Sequence, residues 1–203
     1  MKKATSFNPA HPRFPATTYS WSLLVIFFLS GMSAMAQTKW NVSIAGGVDV
    51  PFNTNNTNLK TGLGFEFGAA YRLLPHLAIY TGWSWNKFPE DSHLDFEQEE
   101  TGYMAGLQFR HPISTSRIEY QLKAGATYKH IETENSAGKI IGDTGHGWGW
   151  QAGGGVILPI AKRWSLVPEI RYNSLKRDII PGNGSSTATL NYLSASLGIS
   201  WAF

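Results

Sequence analysis

From Trp40 to Phe203, apolar and polar residues alternate almost one for one. A period of two is the signature of a strand with one greasy face, and no stretch carries the 3.6-residue stripe of a helix. Eight segments show the pattern: WNVSIAGGVDV from Trp40, GLGFEFGAAYRL from Gly62, LAIYTGWSWNK from Leu77 and TGYMAGLQFR from Thr101, then RIEYQLKAGATYKH from Arg117, GWGWQAGGGVIL from Gly147, WSLVPEIRYNSL from Trp164 and LNYLSASLGISWAF from Leu190. Each is about ten residues or a little more, the length of a tilted strand that crosses a bilayer. Three connections are tight: Leu74-Pro75-His76, Pro112 to Ser116, and Pro159 to Arg163. Four are longer and polar: Asn53 to Thr61, Pro89 to Glu100, Thr133 to Gly145, and Ile179 to Thr189. Strict alternation puts every long loop at one end of an up-and-down sheet, and an even strand number brings both termini to the other. The predicted fold is all-β, an eight-stranded antiparallel up-and-down transmembrane β-barrel.

Alternation by itself fits a soluble barrel with the apolar face inside as well as a membrane barrel with that face outside. Side-chain volume separates the two. The apolar face carries Trp40, Phe65, Phe67, Tyr71, Trp83, Trp85, Tyr103, Phe109, Tyr120, Tyr128, Trp164, Tyr172, Trp201 and Phe203. An eight-stranded lumen is only just wide enough for side chains, so these rings would overfill it. The opposite face is mostly Gly, Ser, Ala and a few charges, which fit inside. Phe65, Phe67, Tyr71, Leu107, Tyr120 and Leu122 are therefore expected to face lipid. Trp40, Trp164 and Trp201 stand near strand ends, where interfacial aromatic girdles form.

The first 36 residues read differently. Lys2, Lys3 and Arg13 precede the apolar run Leu23 to Leu29, and Ala34-Met35-Ala36 follows it. That is the pattern of a secretory signal peptide (residues 1–36) cleaved after Ala36, leaving a barrel domain of residues 37–203. The leader holds three of the 17 basic residues and none of the 14 acidic ones, so removing it leaves 14 of each. The basic pI of about 9.1 thus belongs to the leader, and nucleic acid drops out as a partner. There is no cysteine, so the exported fold holds without disulfides.

The chain ends Ile199-Ser200-Trp201-Ala202-Phe203, and the Gly-rich stretch Gly147 to Val156 is followed by KRWSLVPEIRY from Lys162 to Tyr172. These features resemble the small bacterial outer-membrane β-barrel family of OmpA/OmpX type. The resemblance implies a bacterial outer-membrane location with periplasmic termini, contact with lipid and lipopolysaccharide, and no cofactor. It also implies that the barrel-assembly machinery reads a terminal signal, here Leu197, Ile199, Trp201 and Phe203. The expected protein is a monomer whose long loops can meet an extracellular ligand.

Alternate positions place nine charges in the lumen: Asp49, Glu66, Glu119 and Glu169, against Arg72, Arg110, Lys123, Lys129 and Arg171. Near-balanced charges in a narrow lumen must pair, because an isolated buried charge is costly. Such a network can plug the barrel and hold its register, which makes the expected role structural, in envelope integrity or surface interaction. The alternative is a narrow or gated porin-like pore whose pairs exchange partners. A further alternative is a lipid-modifying enzyme built on His93, His130 or His146 with nearby acids, although no local motif binds these together. The acidic stretch Pro89 to Glu100 fits no cation-loop spacing. No catalytic, cofactor-binding or metal residues are assigned.

Overall fold

The structure, a computed structural model, describes residues 39–52, 59–90, 97–135, 137–179 and 186–203. The expected leader lies outside them, as do Ser92 and His93. The strands are β1 (Trp40–Phe52), β2 (Gly62–Leu74), β3 (Leu77–Pro89), β4 (Glu97–Pro112) and β5 (Glu119–Glu134), then β6 (Ile140–Asp143), β7 (Gly147–Pro159), β8 (Trp164–Ile179) and β9 (Ser186–Ala202).

Eight of these form a closed antiparallel barrel. Each strand pairs with the next, β5 pairs with β7, and β1 joins β9 to complete the ring. The closing ladder runs from Asn41↔Ala202 to Phe52↔Asn191. Reciprocal bonds at its foot tie Trp40 to Phe203, at 3.2 and 3.0 Å. Closure leaves no strand edge, which is what allows a sheet to stand in hydrocarbon. The three tight turns and both strand termini of the barrel share one end, the turn end; the four long connections share the other, the loop end.

β6 lies outside the ring. It pairs with the last residues of β5 and prolongs the β5–β7 hairpin beyond the barrel wall. Its four residues are all exposed, so no buried face imposes an alternation that could reveal it in the sequence. Four strands also run four residues farther toward the loop end than the alternation suggested: β4 starts at Glu97 instead of Thr101 and β9 at Ser186 instead of Leu190, while β5 continues past His130 to Glu134 and β8 past Leu175 to Ile179. Glu97-Gln98-Glu99-Glu100 is polar on both faces, and its place in the sheet comes from pairing with β3 and β5. In mid-barrel the β7–β8 ladder breaks between Gly155↔Glu169 and Leu158↔Leu166. Pro168 stands in that gap, and proline has no N–H to give to a ladder.

The two faces separate cleanly. Phe67, Leu107, Leu122, Leu197 and Ile199 point outward and are exposed, as do Phe65 and Tyr120, while Tyr71, Trp201 and Phe203 are half-covered by neighbouring rings. Aromatic pairs collect in two belts. Trp40–Tyr71, Phe109–Tyr120 and Trp164–Trp201 sit toward the turn end; Tyr128–Trp148 and Trp150–Tyr172 sit toward the loop end. Along β5, Tyr120 and Tyr128 are about 26 Å apart by strand rise, or about 20 Å along the axis of a tilted strand, close to the apolar band of a membrane barrel.

Candidate functional site in the barrel lumen

The inward side chains form three tiers. Nearest the turn end, Arg110 meets Glu119 at 2.7 Å. Arg72 lines the same mouth beside Arg110 but has no carboxylate within ion-pair distance among the described residues. Asp49 likewise has no base within that distance among the described residues and is held by Ser194 and Asn86, whereas Arg72 is reached by solvent through the turn-end mouth. At the same rim His76 Nδ1 lies 2.9 Å from the Arg110 carbonyl, and its ring stacks on His111.

Mid-barrel, a polar belt spans the lumen. Lys123 lies 2.8 Å from Glu169, and Arg171 contacts both Glu66 and Glu169. Arg171 Nε sits 3.1 Å from Glu169 Oε1 without hydrogen-bond geometry, so that contact is electrostatic only. Gln108 Nε2 donates to Gln121 at 2.6 Å, and Gln121 Nε2 donates to Glu169 at 2.6 Å. Gln151 donates to the Tyr80 hydroxyl at 2.9 Å. These residues come from β2, β3, β4, β5, β7 and β8, so the belt crosslinks most of the wall. Gly125 makes room for it: a Cβ there would lie 2.5 Å from the Tyr80 hydroxyl. Beside the belt, the small residues of β1 and β9 leave a cavity of about 50 Å³, space for about three or four waters.

Toward the loop end, Lys129 pairs with Glu100 at 2.6 Å, and both are almost wholly buried. The Tyr192 hydroxyl donates to Glu100 at 2.9 Å and accepts from Lys129 at 3.2 Å. Asn86 stands between Tyr192 and Asp49, 3.2 Å from each, and Ser194 donates to Asp49. Above this tier lies an apolar lid of Phe88, Ile131, Leu175, Leu190 and the Tyr192 ring. Phe88 is 0% exposed and Tyr192 1%.

Reading the lumen charges by parity does not reveal Glu100, Tyr192, Gln151 or the lid, and parity places Gln121 on the polar face of its strand without its partners Gln108 and Glu169. In the sequence Glu100 closes a polar loop, and only the start of β4 at Glu97 shows that its parity points inward. The lid is an inward apolar set in a lumen read as polar, and Phe88 follows the inward parity of β3 from Tyr80 through Asn86. The acidic stretch is likewise taken apart. Glu97 and Glu99 face outward and share Lys87, at 2.6 and 3.1 Å, while Glu100 faces inward to Lys129.

On the outer rim, His130 and His146 stack with centroids 4.3 Å apart. His130 Nδ1 lies 3.2 Å from Asp143 and 3.7 Å from Glu132. The Gly145 amide donates to Asp143 at 2.8 Å and, with His130 beside it, holds that carboxyl below the usual aspartate range.

A closed eight-stranded barrel with aromatic belts and a paired polar lumen is the architecture of small outer-membrane proteins. The sequence matches the outer membrane protein beta-barrel domain over residues 22–203. The chain belongs to this family. Membership places it in a bacterial outer membrane, its apolar wall facing lipid. Solved structures agree on the fold. Neisserial surface protein A is 15% identical with a TM-score of 0.57, the match covering 82% of this chain and 98% of that one. OprG of Pseudomonas aeruginosa is 11% identical at 0.53, covering 82% and 97%. Ail, the attachment invasion locus protein of Yersinia pestis, is 14% identical at 0.51, covering 82% and 100%. At such identities the likeness is one of fold alone. No curated protein matches the sequence.

Proposed function

We propose that this outer-membrane barrel is non-enzymatic, that its lumen is plugged by its own side chains, and that it serves the envelope through its wall and long loops. The observation that carries the reading is the filled lumen. The belt around Arg171 crosses the middle of the barrel, and the Phe88–Leu175–Tyr192 lid closes it toward the loop end. Side chains of the belt and the lid fill the lumen at these two levels, and the cavity between belt and wall is about 50 Å³. In this reading the leader is cleaved after Ala36, and the termini and tight turns lie in the periplasm. The long loops face outward toward lipopolysaccharide and any extracellular ligand. Leu197, Ile199, Trp201 and Phe203 present the outward stripe that the assembly machinery reads. The barrel acts as a monomer.

A gated pore is the second reading, and one observation favours it. Arg171 touches two acids, and Glu169 is shared by two bases. Such a belt can exchange partners without stranding a charge. Planar-bilayer recording on protein that shows the heat-dependent gel shift of a folded barrel separates the two. A silent, correctly inserted barrel supports the plug. Discrete steps that change when Glu66 or Arg110 is neutralised would replace it with the pore.

A further inference from the structure

On the outer rim at the loop end, the β5–β6 ladder sets Glu132 directly opposite Asp143. Like charges in that relation repel and weaken the pairing that holds them. Neighbouring acids are relieved: Lys87 lies within 2.6, 3.1 and 3.8 Å of Glu97, Glu99 and Glu134. Among the described residues no lysine or arginine reaches Glu132 or Asp143 in the same way. What reaches them is an imidazole. His130 Nδ1 stands 3.7 Å from Glu132 Oε1 and 3.2 Å from Asp143 Oδ1. One ligand atom from each of the three residues lies within 4.8 Å of the others.

We propose that His130, Glu132 and Asp143 bind a divalent transition-metal ion of the Zn²⁺ class. A tetrahedral ion bonded at about 2.0–2.2 Å keeps its ligand atoms about 3.3–3.6 Å apart; the two distances from Nδ1 fall on either side of that, and a small shift of the two carboxylates would close the third side. One nitrogen with two carboxylate oxygens suits zinc and its neighbours better than calcium, which prefers oxygen throughout. Two positive charges on the ion offset the two facing carboxylates, turning the repulsive pair into a clasp between β5 and β6.

The surroundings hold the ligands in place. The Gly145 amide fixes the Asp143 carboxylate, and Gly145 adopts φ +65°, a conformation that other residues rarely take. Thr144 is tied to Ile131 by two bonds of 3.0 Å each, one through its hydroxyl and one through its amide, which anchors the far end of β6. The His146 ring covers one face of His130 with an interplanar angle of 16°, and Tyr128 lies against His146 at 5.2 Å. His146 is therefore a positioning residue for the imidazole. Three protein ligands leave one position open toward solvent, beyond the Tyr128–Trp148 belt.

Isothermal titration of Zn²⁺ into the full chain, folded in detergent micelles and free of any histidine tag, tests the site. The expected result is one equivalent bound. Affinity should fall at least tenfold in His130→Ala and in Asp143→Asn, and by a smaller factor in His146→Ala, while Glu97→Gln and His76→Ala leave it unchanged. The heat-dependent gel shift verifies folding, since all these residues stand on the rims and none is part of the lumen plug. Absence of stoichiometric binding, or binding that survives both His130→Ala and Asp143→Asn, would overturn the proposal. So would Ca²⁺ binding as tightly as Zn²⁺ and indifferent to His130→Ala, which would mark an oxygen-only site.

Discussion

Lys129 and Glu100 are the most deeply buried ion pair in the lumen. Breaking such a pair from one side leaves an uncompensated charge, whereas removing both partners leaves a smaller deficit. Lys129→Met is therefore expected to destabilise the folded barrel by about 3–5 kcal/mol, and adding Glu100→Gln should restore much of that. Urea unfolding in lipid vesicles measures both. The residue scale also tests which face meets lipid. Leu197 is 54% exposed on the outer wall of β9. An arginine there should cost roughly 2–4 kcal/mol if the position lies near mid-membrane. At the inward neighbour Ser196 the outcome is set by room in the lumen instead, so the two substitutions should differ in kind. An unperturbed Leu197→Arg barrel in vesicles would refute the outward assignment.

At the scale of elements, the alternation was enough to locate every barrel strand, because one face of each strand meets a different medium from the other. It failed where that contrast is missing. The Glu97–Glu100 start of β4 and the four exposed residues of β6 carry no apolar parity. The pairing of His130 with Asp143 was hidden for the same reason: it depends on a register in β6 that no buried side chain announces. The nine lumen charges could be read from parity, but their partners could not, since pairing across a barrel depends on shear between strands. Glycines show a related limit. In the run Gly153-Gly154-Gly155, a Cβ on Gly153 would come 2.5 Å from the Ile170 carbonyl and 2.8 Å from the Arg171 backbone. On Gly154 it would point outward, 3.1 Å from a Leu122 methyl. Gly153→Ala should cost about 1–3 kcal/mol by forcing β8 away, and Gly154→Ala clearly less, as judged by the folded fraction on unboiled gels. The β5–β6 extension adds a pH effect. Asp143 is held below its ordinary pKa by the Gly145 amide, so its contribution is complete above that ordinary value and disappears as pH falls through the lowered one. The protection of the Gly145 amide against exchange, taken relative to its intrinsic rate at each pH, should fall only in that acidic window, with the protection of the barrel amides unaffected.

Across the whole molecule, the lid and the belt act as two barriers in series along one lumen. Current through a series path is set by its largest resistance, so relieving either barrier alone changes little. The lid is a dewetting barrier: Phe88, Leu175 and Leu190 offer no hydrogen bond to an ion or its waters. The belt is an electrostatic and steric barrier, with Arg171 linking Glu66 and Glu169 across the middle of the barrel. Phe88→Ala with Leu175→Ala should therefore stay silent in a planar bilayer. Glu66→Gln with Arg171→Gln should also stay silent, because the pair is removed together and the lid persists. Only the combination should conduct in discrete steps. Conduction by the lid variant alone would mean that the belt yields readily, and the gated pore would then describe this barrel better than the plug.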